Sequence, residues 1–133
     1  MPISKQNRTL KQFHTDLTDF TPAKFLDLVE ALKSQAALQP RLQTNVNLQF
    51  EDSQLTGDTP EVRGLLAQIT DEEPYSYSCS ITVNKNPRRT LSLTITHGQR
   101  LVNLNVQNVT RNEVKPLLEK VLEALPVLSL IHI

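Results

Sequence analysis

Residues 75–83 read Tyr-Ser-Tyr-Ser-Cys-Ser-Ile-Thr-Val, and residues 89–97 read Arg-Thr-Leu-Ser-Leu-Thr-Ile-Thr-His. In both stretches apolar and small polar side chains alternate with a period of two, which is typical of strands that bury one face. Residues 101–107 continue the same alternation. Because short turns separate the three stretches, they predict consecutive antiparallel strands.

The Gly98-Gln99 loop sets the register of the last two strands. Glycine at the first of two loop residues is typical of a type II′ turn, which would pair His97 with Arg100. The same register predicts the cross-strand pairs Ile95 with Val102, Leu93 with Leu104, Leu91 with Val106, Thr94 with Asn103 and Ser92 with Asn105.

Outside this core of strands, Thr44–Phe50 alternates in the same way and predicts a fourth strand. Apolar residues at helical spacing predict a helix over 22–37, capped by Thr21 with a hydrophobic staple of Phe20 and Phe25. The segment 9–15 fits either an edge strand or an irregular arm, and its periodicity does not decide.

Two further helices are predicted from their N-terminal signals. Asp58 to Glu61 reads as a capping box before a short helix over 59–69, and Thr110 to Glu113 reads as another before a helix over 110–124. Pro116 predicts a kink or a late start in the second of these.

These elements predict a two-layer α+β domain with an antiparallel sheet of about four strands. Helices 22–37 and 110–124 would cover one face of the sheet and leave the other open. The polar residues predicted on the open face include no Lys, Arg, Asp or Glu, although charges normally help to keep exposed sheets apart. Its central members are Asn47, Ser78, Ser80, Thr82, Ser92, Thr94, Asn103 and Asn105.

Uncharged hydroxyls and amides cost less to desolvate than ions, so this face is suited to docking. The first hypothesis is therefore a non-enzymatic interaction or sensing module that binds another domain of the same protein or a protein partner. The simpler alternative is a solvated face, because Ser and Thr suit strands.

A second hypothesis is a small ligand-binding or enzymatic domain with a pocket near Tyr75, Tyr77 and His97. Cys79 and His97 fall on the apolar face of adjacent strands, as a nucleophile and its base could, but no plausible register places them directly opposite each other. We therefore expect both to be core or core-edge residues. No catalytic residue, metal site or cofactor motif is predicted.

A third hypothesis is a weak phosphate or nucleic-acid contact at the basic turn formed by Lys85, Arg88 and Arg89. Nucleic acid is an unlikely partner, because the predicted open face lacks aromatic residues for base stacking. The 14 basic and 14 acidic residues also balance to a net charge of zero.

The 133-residue chain has one cysteine and no signal-peptide pattern or apolar run long enough to span a bilayer, which predicts a cytoplasmic protein. Its last six residues, Leu-Ser-Leu-Ile-His-Ile, resemble the translation of a transposon-end adapter. This resemblance predicts a single native domain over 1–127, part of a longer truncated protein, and a non-native tail over 128–133.

Overall fold

The computed structural model describes residues 8–69, 72–83 and 88–130. In these ranges seven strands form one antiparallel sheet in the order β3-β2-β4-β5-β6-β1-β7. The strands are β1 Arg8–Thr15, β2 Arg41–Gln49, β3 Gln54–Gly57, β4 Ser76–Val83, β5 Arg89–Thr96, β6 Leu101–Gln107 and β7 Val127–Leu130. The α-helices are α1 Pro22–Lys33, α2 Thr59–Leu66 and α3 Arg111–Ala124.

The predicted α+β class is confirmed, but the expected sheet of about four strands is too small. The additional strands are β1, β3 and β7. Strand β1 has no clear apolar alternation, because three of the four residues on its covered side, Thr9, Lys11 and Thr15, are polar and Phe13 alone is apolar. Strands β3 and β7 have four residues each, which is too short for periodicity to identify them.

The predicted register between β5 and β6 is confirmed at each of the five pairs. The predicted turn type is wrong, since the residue with positive φ is Arg100, at 53°, rather than Gly98. The backbone N–H of Arg100 donates to the His97 carbonyl at 3.1 Å, so the turn spans 97–100. A residue in the left-handed conformation at the end of a turn lets the chain follow the twist of the two strands, so the II′ geometry is not required.

Helix α1 is shorter than predicted, because it ends at Lys33 and a separate 3₁₀ turn occupies Ala36–Leu38. Ser34 Oγ and Gln35 Nε2 both donate to the Ala31 carbonyl, which competes with continued helical bonding. The expected Thr21 cap is present, since its hydroxyl accepts from Lys24 N at 3.2 Å.

Helix α2 ends at Leu66 rather than at 69. Helix α3 begins at Arg111, one residue later than predicted, and continues through Pro116. The proline therefore does not delay the start of the helix. Its expected capping box is confirmed: Glu113 N donates to Thr110 Oγ1 at 3.3 Å, and Thr110 N donates to Glu113 Oε1 at 3.1 Å.

One hydrophobic core lies between the helices and the apolar face of the sheet. At its centre Tyr77 stacks on Phe25 with ring centroids 5.4 Å apart and meets Phe20 edge-on at 5.2 Å. Phe20 and Phe25 also contact each other, as the predicted staple requires. In the part of the chain that the structure describes, no helix combines the length and apolar character needed to cross a membrane.

Strand β7 contains the first residues of the predicted adapter-derived tail. It pairs with β1 at Phe13, His14 and Thr15, and the side chain of Leu128 is 58% exposed. An apolar segment of either origin could pair with an open sheet edge, so the adapter origin stays a prediction.

Candidate interaction face

The open face consists of the strand residues whose side chains point away from the core. The strand pairing arranges them in rows across the sheet, because side chains opposite each other on neighbouring strands share a face. The rows are Gln54, Gln49, Ser76, Thr96, Leu101 and His14; Thr56, Asn47, Ser78, Thr94, Asn103 and Gln12; Asn45, Ser80, Ser92, Asn105 and Leu10; and Gln43, Thr82, Thr90, Gln107 and Arg8.

All eight residues predicted for this face lie on it, and each is half-buried. They occupy the four long neighbouring strands β2, β4, β5 and β6, whose open-face residues include no formal charge. This arrangement follows from the parity of the strands, which the sequence pattern shows without help from tertiary structure.

Strand β1 adds residues to the open face that the sequence analysis did not place there. Arg8, Leu10 and His14 bring a charge, an apolar side chain and an imidazole to one side of the sheet. Arg8 Nε donates to Asn105 Oδ1 at 3.2 Å and so connects this margin to the uncharged centre.

Two amide oxygens in one row of the open face lack a hydrogen-bond partner among the described residues. They are Asn47 Oδ1 and Asn103 Oδ1, and both are shielded from solvent. Ser78 and Thr94 lie between them in the row. A shielded acceptor without a donor costs about 1–3 kcal/mol, which a partner would recover by supplying a donor to the amide once it turns outward.

Of the residues predicted for an anion contact, Arg89 is engaged in bonds inside the protein. Arg89 makes a bidentate ion pair with Glu113, at 2.5 and 3.0 Å, and also donates to the Ala37 carbonyl. Arg88 is exposed, and Lys85 lies outside the described residues. Binding an external anion through Arg89 would require this internal pair to break, and the anion contact stays a prediction.

The residues predicted to line a pocket do not enclose one in the structure, although His97 N donates to the Tyr75 carbonyl at 3.0 Å. Tyr77 is buried in the aromatic cluster, where burial and then the nearby Glu73 carboxylate raise its pKa to about 12. Tyr75 is 53% exposed. The hollow beside His97 has a volume of about 170 Å³ and is lined by neither tyrosine, whereas ligand pockets usually exceed about 300 Å³.

Cys79 lies opposite Leu93, whereas His97 N donates to the Tyr75 carbonyl, four residues further along β4. This offset is about 13 Å along the strand, so the two side chains are not positioned as a nucleophile and its base. Burial raises the pKa of the Cys79 thiol to about 12, which keeps it protonated. Both observations agree with the expectation that Cys79 is a core residue.

The sequence analysis missed a polar cluster between α1 and α2. Lys33 is buried, and its Nζ donates to Glu30, Asp58 and Thr59, each at 3.0 Å. Thr59 Oγ1 also bonds Glu30. The sequence does show a lysine on the apolar side of α1. Its partners Asp58 and Thr59, however, are 25 and 26 residues away, so local spacing could not identify the cluster.

The ionisation of this cluster is consistent with a structural role. The Thr59 hydroxyl holds the pKa of Glu30 below its ordinary value. Burial alone would raise the pKa of Asp58, but bonds from Lys33 and from the Thr59 backbone together lower it. Among the described residues, no group of three or more His, Cys, Asp or Glu side chains could hold a metal ion.

The fold and the open face define the class of protein: an α+β domain with helices on one face of an antiparallel sheet and half-buried, mostly uncharged polar residues on the other. Comparison with family models, curated proteins and solved structures finds no match for the chain.

Proposed function

We propose that the protein is a non-enzymatic interaction module whose open face docks a second copy of the chain. The observation that carries the proposal is the absence of charge from the open-face residues of β2, β4, β5 and β6. Two charged faces of the same sign would repel in a symmetric dimer, whereas uncharged hydroxyls and amides avoid that cost.

The side chains of the open face are self-complementary. Hydroxyl and amide groups both donate and accept hydrogen bonds, so one row can pair with the same row of a second copy. The shielded oxygens of Asn47 and Asn103 would receive donors in such an arrangement. This chemistry favours a protein surface over nucleic acid, which requires cations for its phosphates.

The area of the open face also fits a dimer. The sheet has seven strands, of which the two at its edges are short. With strands about 4.8 Å apart and about 26 Å long in the centre, its open face has an area of about 700 Å². Stable protein interfaces bury about 800 Å² on each partner, so the face alone nearly reaches that size.

Analytical ultracentrifugation over the micromolar range tests the proposal. We expect the protein to sediment as a dimer and Thr94→Lys to sediment as a monomer, because the two symmetry-related ammonium groups would be buried near the centre of the interface. Asn105→Lys should act in the same direction. Gln68→Lys is the matched control, since it adds the same charge at an exposed position outside the sheet and should leave the dimer intact.

Circular dichroism and thermal unfolding of each variant separate lost association from lost folding. A protein that stays monomeric over the whole concentration range contradicts the proposal. A dimer that survives Thr94→Lys, with the variant folded, contradicts it equally, because another surface would then hold the two copies together.

A further inference from the structure

A groove of about 880 Å³ lies between the first half of β1 and the N-terminal half of α3. Its rim carries four exposed cations: Arg8 and Lys11 from β1, and Arg111 and Lys115 from α3. None of its lining residues is a carboxylate. None of the four cations has an ion-pair partner among the described residues, so the groove has a positive charge with nothing of its own to balance it.

The lower part of the groove is apolar. Val114 and Leu118 from α3 line it, and Leu118 packs against the core while staying partly exposed. The capping box uses the backbone N–H groups of Thr110 and Glu113. The side-chain cations and the apolar floor are the features of the groove that a ligand would meet.

The same groove borders a strand edge that no described strand covers. Strand β7 pairs with β1 at Phe13, His14 and Thr15, but not with Arg8–Gln12. The Thr15 backbone N–H donates towards β6, to the Arg100 carbonyl at 2.9 Å. Since backbone groups alternate in direction along a strand, the N–H and C=O of Leu10 and Gln12 point away from β6, towards the groove side.

We infer that this groove binds an extended acidic peptide segment of another protein, which pairs with Arg8–Gln12 as an added strand. The peptide backbone would bond the outward groups of Leu10 and Gln12. Its side chains on the helix side would alternate between apolar contacts with Val114 and Leu118 and carboxylates near Lys11 and Lys115. Charge complementarity, the edge that the described strands leave unpaired and the apolar floor together indicate this kind of ligand.

The groove meets the proposed dimer face at Arg8 and Leu10, whereas the residues whose substitution tests the dimer, Thr94 and Asn105, lie outside the groove lining. The two proposals therefore fail separately. A free phosphate would use the cations without the strand edge, and single-stranded nucleic acid would need aromatic side chains, of which the groove lining has none.

Fluorescence anisotropy with a labelled peptide of the repeat Glu-Thr-Val-Thr tests the inference, because every second side chain of an added strand lies on the helix side, where glutamate and valine then alternate. We expect the peptide to bind and Lys115→Glu to weaken binding about tenfold or more. Lys120→Glu is the matched control: it makes the same change on the same helix, at a residue that faces α1, and should bind as the unmodified protein does. Equal weakening by both variants would overturn the inference, since it would indicate general charge attraction.

Two changes test the strand pairing itself. Leu10→Pro removes an outward N–H while keeping the bonds to β6, and it should abolish peptide binding. If this variant does not fold, the same peptide with N-methylated alternate residues provides the test from the ligand side, and we expect it not to bind. Undiminished binding of the N-methylated peptide, tighter binding of a single-stranded oligonucleotide, or no binding of the acidic peptide would each overturn the inference.

Discussion

The two faces of the sheet come from alternate residues of the same strands, yet they differ in almost every physical respect. On the covered face Val46, Leu93 and Leu104 are fully buried beneath the helices. On the open face, their neighbours Asn47 and Thr94 are half-buried. Along each strand, residues that stabilise the fold therefore alternate with residues that are available for binding. Substitutions at adjacent positions should have different effects.

The largest difference is expected between adjacent residues of β5. Leu93→Ala should destabilise the protein by about 3 kcal/mol, because it removes a fully buried side chain and leaves a cavity. Ser92→Ala, one residue away on the open face, should change stability by less than about 0.5 kcal/mol. Urea unfolding of both variants measures the contrast, and similar losses would show that the open face also supports the fold.

The second difference between the two sides of the sheet concerns buried charge, which the described residues place in the helix layer, at Lys33. Lys33→Ala should cost about 2 kcal/mol, since it removes a donor to three acceptors and leaves Glu30 and Asp58 close together. Lys120→Ala is the control: Lys120 is partly exposed and lies 3.8 Å from Glu123, and its loss should cost less than about 0.5 kcal/mol. Equal effects in urea unfolding would contradict the structural role of Lys33.

Acid should weaken the covered side, which holds the ion pairs of Glu30, Asp58 and Glu113, and leave the open-face residues of β2, β4, β5 and β6 unchanged. The pKa values of Glu30, Asp58 and Glu113 lie below their ordinary values of 4.5, 3.8 and 4.5 in the folded protein. Such groups stabilise the fold at pH values above those ordinary values, and the stabilisation is lost as the pH falls through the lower folded-state pKa values. We expect the urea midpoint to fall steadily below about pH 4.5.

Glu113→Gln isolates one part of this pH dependence. The Thr110 backbone bond and the Arg89 ion pair lower the pKa of Glu113, against the opposing effect of burial. The variant should cost about 1 kcal/mol at neutral pH and nothing at a pH where the carboxylate is protonated. A constant cost at every pH would show that Glu113 stabilises the fold through packing and not through its charge.

The sequence predicted what local periodicity and capping control. Parity along Tyr75–Val83 and Leu101–Gln107 identified the open face, and the Thr110 capping box identified the start of α3. It left β1 open between an edge strand and an irregular arm, because the covered-side residues Thr9 and Lys11 are polar and the strand pairs with β6, about a hundred residues later. The basic groove could not be predicted for the same reason, since β1 and α3, which form its two walls, are about a hundred residues apart in the sequence.

The smallest expected change tests whether the shielded amides of the open face serve the monomer or a partner. Asn103→Thr removes an acceptor that lacks a donor and introduces a residue that favours strands, so it should stabilise the monomer by about 0.5–1 kcal/mol. Asn45→Thr, the matched control, makes the same substitution at an exposed position of the same face and gains only the strand preference. If a second copy donates to the Asn103 oxygen, the same variant should weaken the dimer while strengthening the fold, which ultracentrifugation and urea unfolding measure separately. A destabilised Asn103→Thr monomer would assign that amide to the fold itself and remove it from the docking face.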